Sequence, residues 1–500
     1  MPRFYVTTSH LDPARAEVAA DVLARHHRLR GDRVRFLLVS PDRGTRDLLA
    51  LSSTDTVTPE DPAHHAGVVR LWRACAAAGD LSRGPGDEWS FRLSRHTGRL
   101  RELIAAGELR IAPAARRDEV LELLAAGLPD VRAAGSAGRG VPVPDHPGLA
   151  LERWWDVATG VTGLGYGADG PNHRRWWLES DRRVHVVGAD GLRLHAVLWP
   201  AVLLSAGLPL PTDVYAHEPA GGLGLPGLDP PGLGLTGTDP SGPSPAGLNP
   251  PGPSPAGLDL AGLAEHHGAD AVRWWLLRTP PGATTPNPAT PNPATPNPAT
   301  PNPATPNPAT HLPTTPDGPP TPTGPATDHP TPPAADHPTT SAANRSVTLA
   351  NDDLATALGA LVDRVTTMVH RYRAGRPPVA DPPADAEPLL AACRAAPEQV
   401  REALASFDFR RATDAVWRIV EQARRYADRA RPWDLARADR AGDRDARDRL
   451  DAVLAALLTA CRVLATELTP FLPTLAAGIA GQCITLTDSL AAPRSLFPRR

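Results

Sequence analysis

The order of apolar and polar residues divides the chain into three patterned segments and two unpatterned ones. The first patterned segment, residues 1–218, alternates short β-prone runs with stretches in which apolar residues recur every three or four positions. Its predicted elements are strands at 4–8, 34–39 and 184–187 and helices at 14–30 and 192–206. Strands that alternate with helices in this order predict a parallel α/β sheet.

In the remaining patterned sequence, apolar residues recur with the three-to-four-residue period of a helix and no strand pattern is present. Residues 258–278 show this period, and we expect a single helix there. Residues 344–500 carry three long apolar stripes at the same spacing. Antiparallel helices with one apolar stripe each predict an α-helical bundle.

The two unpatterned segments hold much of the proline and glycine, which number 59 and 42 in the 500 residues. They are residues 219–257 and 279–343, and residues 285–309 are five copies of Thr-Pro-Asn-Pro-Ala. Alternate prolines remove backbone donors and disfavour the interiors of helices and sheets, so we expect long disordered inserts. A spacer, an SH3-type ligand and a drifting repeat expansion all fit this pattern. The third is favoured, because low-complexity composition by itself specifies no partner.

The charge and cysteine content exclude several classes of protein. With 52 basic and 55 acidic residues, the formal charge of −3 argues against a DNA-coating protein and against a polyacid. The chain contains no lysine, so all 52 of these basic residues are arginines. The four cysteines form no C-x-x-C pair, and no run approaches the ~18 apolar residues of a membrane span. The first residues also lack the apolar core of a signal peptide, so we expect a soluble cytoplasmic protein without disulfides.

Several short sequence motifs, in the same order along the chain, resemble those of methionyl-tRNA synthetases. In the first half these are residues 3–9 (RFYVTTS), 18–25 (VAADVLAR), 27–32 (HRLRGD), 91–95 (FRLSR), 154–156 (WWD), 185–188 (HVVG) and 195–201 (HAVLWPA). In the second half they are residues 271–278 (AVRWWLLR), 351–355 (NDDLA), 358–364 (LGALVDR) and 432–436 (PWDLA).

The resemblance implies a fold and an activity. The fold is an α/β Rossmann-type class I synthetase catalytic domain over 1–218, a stem helix at 258–278 and an anticodon-binding bundle over 344–500. Residues 219–257 and 279–343 are then an insert and a linker. The family reaction is ATP-dependent ligation of methionine to tRNA, with Mg²⁺, so the implied partners are methionine, ATP and tRNA.

The first phosphate motif of the family is altered. A His-x-Gly-His turn at a helix N-terminus normally meets the triphosphate through imidazoles and backbone N–H groups. The matching residues are His10-Leu11-Asp12-Pro13, in which only the first histidine is kept. A carboxylate at position 12 repels phosphate, whereas Asp12 and Pro13 suit the cap and first position of a helix. His10 is therefore a catalytic remnant.

The second phosphate motif is absent. Its lysine ammonium groups normally neutralise the charge that develops on the leaving pyrophosphate. The sequence contains no lysine, and residues 218–260, where the motif belongs, contain no arginine either.

The amino-acid and ribose positions are partly kept. By resemblance, Trp154 and His195 line the pocket for the substrate side chain, and Asp190 with Gly188 lies near the adenosine ribose. Plain core packing is the alternative for Trp154 and His195. The acidic group that holds the substrate ammonium falls on a proline, so Asp42 takes that role only by a shift in register.

The zinc-bearing insertion of the family has no counterpart. Residues 82–89 lead directly into the FRLSR motif, and Cys75 stands alone there. A structural zinc needs a set of close cysteine or histidine ligands, so we expect no zinc.

The anticodon side is better preserved. By resemblance Trp433 stacks on an unpaired base and Arg364 makes a basic contact with tRNA. Helix-end packing is the alternative role for Trp433. An asparagine expected in the same helix is Ala360, which removes one hydrogen bond to a base edge.

Taken with these losses, the resemblance predicts a methionyl-tRNA synthetase homologue with impaired catalysis. Loss of both phosphate motifs argues against binding of ATP and Mg²⁺, and weak tRNA binding is the activity expected to survive. The alternatives are an altered adenylating or aminoacyl-transfer enzyme, a non-catalytic tRNA-binding or interaction protein, and the product of a decaying gene. Neither a membrane nor DNA is expected as a partner.

Overall fold

The computed structural model of the chain describes residues 1–8, 13–39, 43–57, 62–84, 88–136, 141–152, 154–155, 171–217, 260–279, 338–484 and 488–497. The insert predicted at 219–257, most of the linker predicted at 279–343, and the candidate site residues His10 and Asp42 lie outside the described residues.

In the part of the chain that the structure describes, eleven strands form two sheets. They are β1 (Arg3–Thr8), β2 (Arg33–Val39), β3 (Asp55–Val57), β4 (Leu81–Arg83), β5 (Trp89–Phe91), β6 (Arg110–Ala112), β7 (Val131–Gly135), β8 (Pro142–Val143), β9 (His146–Leu151), β10 (Arg182–Gly188) and β11 (Asp213–His217). The first sheet is parallel, in the order β3-β2-β1-β10-β11-β6. The second is antiparallel, in the order β4-β5-β7-β9-β8. The predicted parallel sheet is thereby confirmed.

The helices of the α/β half connect and cover the strands. They are α1 (Pro13–Leu29), α2 (Arg43–Leu48), α3 (Pro62–Ala77), α4 (Thr97–Ala105), α5 (Ala114–Ala125), α6 (Pro171–His173, continued by a π-helical turn at Arg174–Leu178) and α7 (Trp199–Ser205). The helix predicted at 192–206 is irregular at its start, because a 3₁₀ turn (Ala189–Gly191) and a π-helical turn (Leu194–Leu198) precede α7.

The second half is helical, as predicted. Its helices are α8 (Leu260–His267), α9 (Ala269–Arg278), α10 (Pro338–Asp353), α11 (Ala360–Arg373, preceded by a π-helical segment at Leu354–Gly359), α12 (Glu387–Ala405), α13 (Phe409–Ala430), α14 (Pro432–Arg440), α15 (Arg444–Glu467) and α16 (Pro473–Cys483). No helix among the residues described is both long and apolar enough to cross a membrane.

Two predicted helix boundaries differ from the structure. The single stem helix predicted at 258–278 is two helices, because Gly268 adopts a φ of +86° between α8 and α9, a conformation that glycine reaches without steric cost. The bundle begins at Pro338 and not at residue 344. Proline suits the first position of a helix, since its fixed φ is helical and the missing N–H has no partner there in any case.

The parallel sheet separates two apolar cores. Tyr5, on one face of β1, belongs to a core shared with the second sheet and with α7. Phe4 and Val6, on the other face, belong to a core shared with α1, the stem helices and the bundle. The sheet domain and the bundle therefore bury apolar surface against each other, which fixes one relative to the other.

A fully buried arginine on α9 joins the two halves. The guanidinium of Arg273 donates to the carbonyl oxygens of Phe471 (2.8 Å), Pro470 (2.9 Å) and Leu49 (3.1 Å). Its Nη2 also lies 2.8 Å from Oδ2 of Asp21, on α1. One side chain thus connects the turn before α16, the loop after α2, and α1.

The carboxylate of Asp21 is held from several sides. Arg25 Nε lies 2.7 Å from its Oδ2, and the Ser52 N–H and O–H donate to its Oδ1 at 2.7 and 2.6 Å. Burial raises the pKa of Asp21, but the guanidinium groups of Arg273 and Arg25 and the bonds from Ser52 outweigh burial and hold the pKa below its usual value.

His26, near the end of α1, is buried beside other cationic groups. Its side chain is 3% exposed, and its Nδ1 has no hydrogen-bond partner among the described groups. Burial, followed by the charges of His27, Arg30 and Arg401, lowers the pKa of His26 to about 3. The folded protein therefore keeps this imidazole neutral under mildly acidic conditions.

The low pKa of His26 predicts a loss of stability in acid. Between pH 6.5 and about 3 the unfolded chain protonates this histidine and the folded chain does not, so unfolding takes up a proton and stability falls as the pH falls. Each such histidine contributes a slope of about 1.4 kcal/mol per pH unit. Urea denaturation between pH 4.5 and 6 should show a slope smaller by that amount in His26→Gln. The same change at the exposed His266 is the control, and equal slopes in wild type and His26→Gln would contradict the assignment.

Candidate functional site

The central strands of the parallel sheet end together at one edge. Thr7 of β1 is paired with His185 of β10, and Gly188 of β10 is paired with His217 at the end of β11. Strands β2 and β3 follow β1 on one side of it, whereas the later strands β10 and β11 lie on its other side. The order of strands therefore reverses between β1 and β10. Open α/β sheets bind ligands at such a point, beyond the carboxyl ends of the strands.

Two buried histidines face each other below this edge. His185 and His195 are both fully buried, and their Nδ1 atoms are 3.3 Å apart with the rings nearly perpendicular, at 83°. Burial, followed by the neighbouring His195 and Arg183, holds the pKa of His185 well below its usual value, so this imidazole is neutral. The predicted pocket residue His195 is thus held by a histidine to which the sequence analysis assigned no role.

The element that carries His195 lies close against β10. His195 lies in the π-helical turn Leu194–Leu198, and such turns are frequent at functional sites. A Cβ at Gly191 would lie 3.3 Å from Cβ of Val187 and 3.4 Å from Cδ2 of His195. A larger residue at position 191 would push this turn away from the strand, so Gly191 fixes the approach of His195.

The predicted ribose residues lie at the start of the same helix. Gly188 ends β10, and Asp190 is exposed in the first turn that follows. An exposed carboxylate at this edge is placed to accept hydrogen bonds from hydroxyl groups, and it repels phosphate.

Trp154 is buried, and its polar atom is used within the protein. Its indole Nε1 donates to the carbonyl oxygen of Arg132 at 2.8 Å, and its ring packs at 5.3 Å from that of Trp155 and 6.3 Å from that of Phe91. Trp154 belongs to the same apolar core as Leu194 and Ala196, the two chain neighbours of His195. The ring of Trp154 therefore contributes apolar surface, and its N–H is engaged by the backbone.

The described part of the edge offers little to a triphosphate. The last described residues of β1, β10 and β11 are Thr8, Gly188 and His217, none of them an arginine. Arg15, in the first turn of α1, donates to the carbonyl oxygens of Leu276 and Thr279. Within the described ranges, the ends of these three strands therefore carry no arginine or lysine for a phosphate group.

No group of three or more His, Cys, Asp or Glu side chains within the described ranges is placed to bind a metal ion. Cys75 is buried, and its thiol donates to the carbonyl oxygen of Val202 at 3.7 Å. Burial raises the pKa of this thiol to about 12, which disfavours the thiolate that a metal would need.

The two predicted tRNA residues come together on the bundle. The guanidinium carbon of Arg364, on α11, lies 4.8 Å from the centroid of the Trp433 ring, on α14. Nη1 of Arg364 also lies 2.8 Å from Oδ1 of Asp428, near the end of α13. Trp433 is half-buried, and the side chains of Arg364 and Asp428 are 37% and 68% exposed. We call these three residues the aromatic platform.

Sequence reasoning missed three residues of these sites, namely His185, Gly191 and Asp428. His185 lies within the motif at 185–188, two residues before Val187 and on the same face of the strand. The alternation of side chains along a strand could therefore have indicated that His185 is buried with Val187. The contact of Asp428 joins helices 64 residues apart in sequence, and no local pattern indicates it.

A family model described as tRNA synthetases class I (M) matches residues 73–220. The chain is 25% identical over 591 residues to the methionine–tRNA ligase of Mycobacterium tuberculosis (strain CDC 1551 / Oshkosh), a match that covers 100% of this chain and 98% of the relative. It is 25% identical over 592 residues to that of Rhizobium meliloti (strain 1021), covering 99% and 98%.

Solved structures match the same fold. The methionyl-tRNA synthetase of Mycobacterium tuberculosis in complex with methionyl-adenylate superimposes with a TM-score of 0.73 and 24% identity, covering 100% of both chains. The apo form of that enzyme gives a TM-score of 0.72, covering 100% of this chain and 98% of the other.

The parallel sheet, the helical second half and the matched family model define a class I aminoacyl-tRNA synthetase fold. Enzymes of this class use ATP and Mg²⁺. Within the class, the relatives that match over nearly their whole length make the chain a methionyl-tRNA synthetase homologue. The sequence motifs predicted this assignment.

Proposed function

We propose that this methionyl-tRNA synthetase homologue binds tRNA through its helical bundle and has lost efficient adenylation of methionine. The aromatic platform carries the proposal. Arg364 and Trp433, assigned to tRNA from sequence resemblance alone, come from different helices and lie against each other on an accessible surface. A cytoplasmic location and no membrane or DNA partner belong to the same proposal.

The platform has the chemistry of a single-strand binding site. A tryptophan ring stacks on any base, and a guanidinium can pair with phosphate or stack in turn. The charge of Arg364 is partly offset by Asp428, and the whole chain carries a formal charge of −3. Long-range attraction to the phosphate backbone is therefore small, and we expect the binding to be weak and sensitive to salt.

The loss of adenylation is supported by the phosphate side of the site. The sequence holds no lysine for the leaving pyrophosphate, and the first motif keeps His10 but places Asp12 where a glycine belongs. Arg15, the arginine of the first α1 turn, is engaged by backbone carbonyl groups. A group so engaged is not placed to replace a lysine.

Substitution of Trp433 tests tRNA binding. Stacking on a base contributes about 1–3 kcal/mol, so Trp433→Ala should weaken the binding of labelled tRNA to the full chain by roughly 5- to 150-fold at low salt. Trp433→Phe keeps a stacking face and should lose much less. Equal affinities for the wild type and a folded Trp433→Ala variant would make Trp433 a packing residue and remove the main support for the proposal.

Asp428 should restrain tRNA binding. Exposed ion pairs contribute at most about 1 kcal/mol, so Asp428→Asn should leave stability almost unchanged while freeing Arg364 and removing a negative charge. We expect tRNA affinity to rise by up to about fivefold, which corresponds to that energy. The control is Glu398→Gln, which neutralises an exposed acid paired with Arg401 on α12. Weaker binding by Asp428→Asn would show that the pair itself forms the binding surface.

An altered adenylating or aminoacyl-transfer enzyme is the second candidate. The buried pair of His185 and His195 favours it, because this part of the sheet edge keeps a defined polar arrangement. Such an enzyme would need ATP and Mg²⁺ held through His10 and Asp190 without lysine. Methionine is its first candidate substrate, with Trp154 and His195 lining the pocket and Asp42 holding the ammonium.

A further inference from the structure

The face of α11 that carries Arg364 also carries a carboxylate. Asp363 and Arg364 are half-buried, and Ala360, one turn earlier, is exposed. The residues between and beyond them are buried in the bundle core, namely Leu361, Val362, Val365 and Thr366. Residues three and four apart are neighbours on a helix surface, so Ala360, Asp363 and Arg364 form one accessible patch beside the ring of Trp433.

Asp363 has no polar partner within the part of the chain that the structure describes. Its Oδ1 is closed to solvent and accepts no hydrogen bond there. Arg364, its neighbour in sequence, pairs with Asp428 at 2.8 Å instead. Burial raises the pKa of the Asp363 carboxyl group above its usual value. Buried polar groups are normally hydrogen-bonded, so an unsatisfied carboxylate on an accessible face needs an explanation.

The carboxylate of Asp363 is open on one edge only. Its side chain as a whole is half-buried, and Oδ1 is the oxygen that solvent does not reach. A carboxylate with one oxygen cut off from water is incompletely hydrated. A hydrogen-bond donor at the open edge therefore stabilises it more than it would stabilise a fully hydrated carboxylate.

The neighbouring platform restricts which donor fits. An ionised carboxylate accepts hydrogen bonds and donates none, so the ligand must supply the donor. The ring of Trp433 offers a surface on which a flat base stacks. Cytosine and adenine each present an exocyclic amino group at the edge of the ring, whereas uracil presents the O4 carbonyl oxygen at the corresponding place. A carboxylate beside the stacked base therefore favours the amino bases and repels uracil.

We propose that Asp363 is a specificity-determining residue of the aromatic platform, which accepts a hydrogen bond from the exocyclic amino group of a single-stranded base stacked on Trp433. It supplies a base-edge contact on the same helix face as Ala360, where the contact expected from the family is missing. The inference rests on the proposed function, because it requires a base at the platform, and it adds which bases are preferred.

Binding of short RNAs to the full chain tests this preference. Labelled hexacytidylate and hexauridylate would be titrated at low salt into wild type and into Asp363→Asn, whose amide both accepts and donates. We expect the wild type to bind the cytosine hexamer at least about tenfold more tightly, and Asp363→Asn to bring the two affinities to within about threefold. Asp448→Asn, which removes an exposed carboxylate on α15, is the control and should keep the wild-type ratio. An unchanged ratio in Asp363→Asn would overturn the proposal.

The same measurements separate this inference from the proposed function. Equal binding of both hexamers by the wild type would overturn the role of Asp363 and leave binding by the platform in place. Binding of neither hexamer would overturn both. Because Asp363 has no described partner, Asp363→Asn should be at least as stable as the wild type in urea denaturation. A clear loss of stability would overturn the proposal, since it would show that the carboxylate is engaged within the chain.

Discussion

Replacing Arg273 by methionine should lower the free energy of unfolding by about 3–5 kcal/mol, the usual cost of removing one partner from a buried ion pair. The substitution leaves the carbonyl groups of Leu49, Pro470 and Phe471 without their donor and takes one cation from Asp21. The energy is a large fraction of the stability of a typical domain. Urea denaturation followed by circular dichroism would measure it.

Arg278 provides a matched control on the same helix. It pairs with Asp414 at 2.7 Å, but the two side chains are 28% and 47% exposed, so Arg278→Met should cost no more than about 1 kcal/mol. Similar losses for the two variants would show that Arg273 is not the main polar connection between the sheet domain and the bundle.

The parallel sheet could be predicted because its strands alternate with helices of clear period. Strands β1, β2 and β10 lie within two residues of the predicted runs. The antiparallel second sheet was not predicted. Strand β8 is only two residues long, and it exists through pairing with β9. Such short strands have no periodicity of their own, so their structure is set by tertiary contacts.

Site residues could be predicted where they lie within a recognisable sequence motif. Arg364 and Trp433 are examples, because each lies in a motif that resembles the family, and the structure brings the two into contact. The residues that these and other polar side chains contact could not be predicted, because they are distant in sequence. Arg273 follows two apolar residues in a helical pattern, and the carbonyl groups that bury its charge lie almost 200 residues further along the chain.

Methionine-dependent ATP–pyrophosphate exchange should be slower than in an intact synthetase by about 10⁴-fold or more. Each group of donors that neutralises charge in a transition state typically contributes roughly 3–4 kcal/mol, and two such groups are altered or absent here. Loss of both therefore raises the barrier by about 6–8 kcal/mol, although contributions of groups that act together are not additive.

The exchange assay is the most direct test that phosphate chemistry is lost while the synthetase fold is kept. The full chain would be assayed with saturating methionine, ATP and Mg²⁺, beside the Mycobacterium tuberculosis enzyme as the active control. Exchange at the background rate, from a protein whose circular dichroism shows the folded helical bundle, is the predicted result. Exchange within about a hundredfold of the control, equivalent to a barrier difference of less than about 3 kcal/mol, would contradict the account and identify the chain as a working adenylating enzyme.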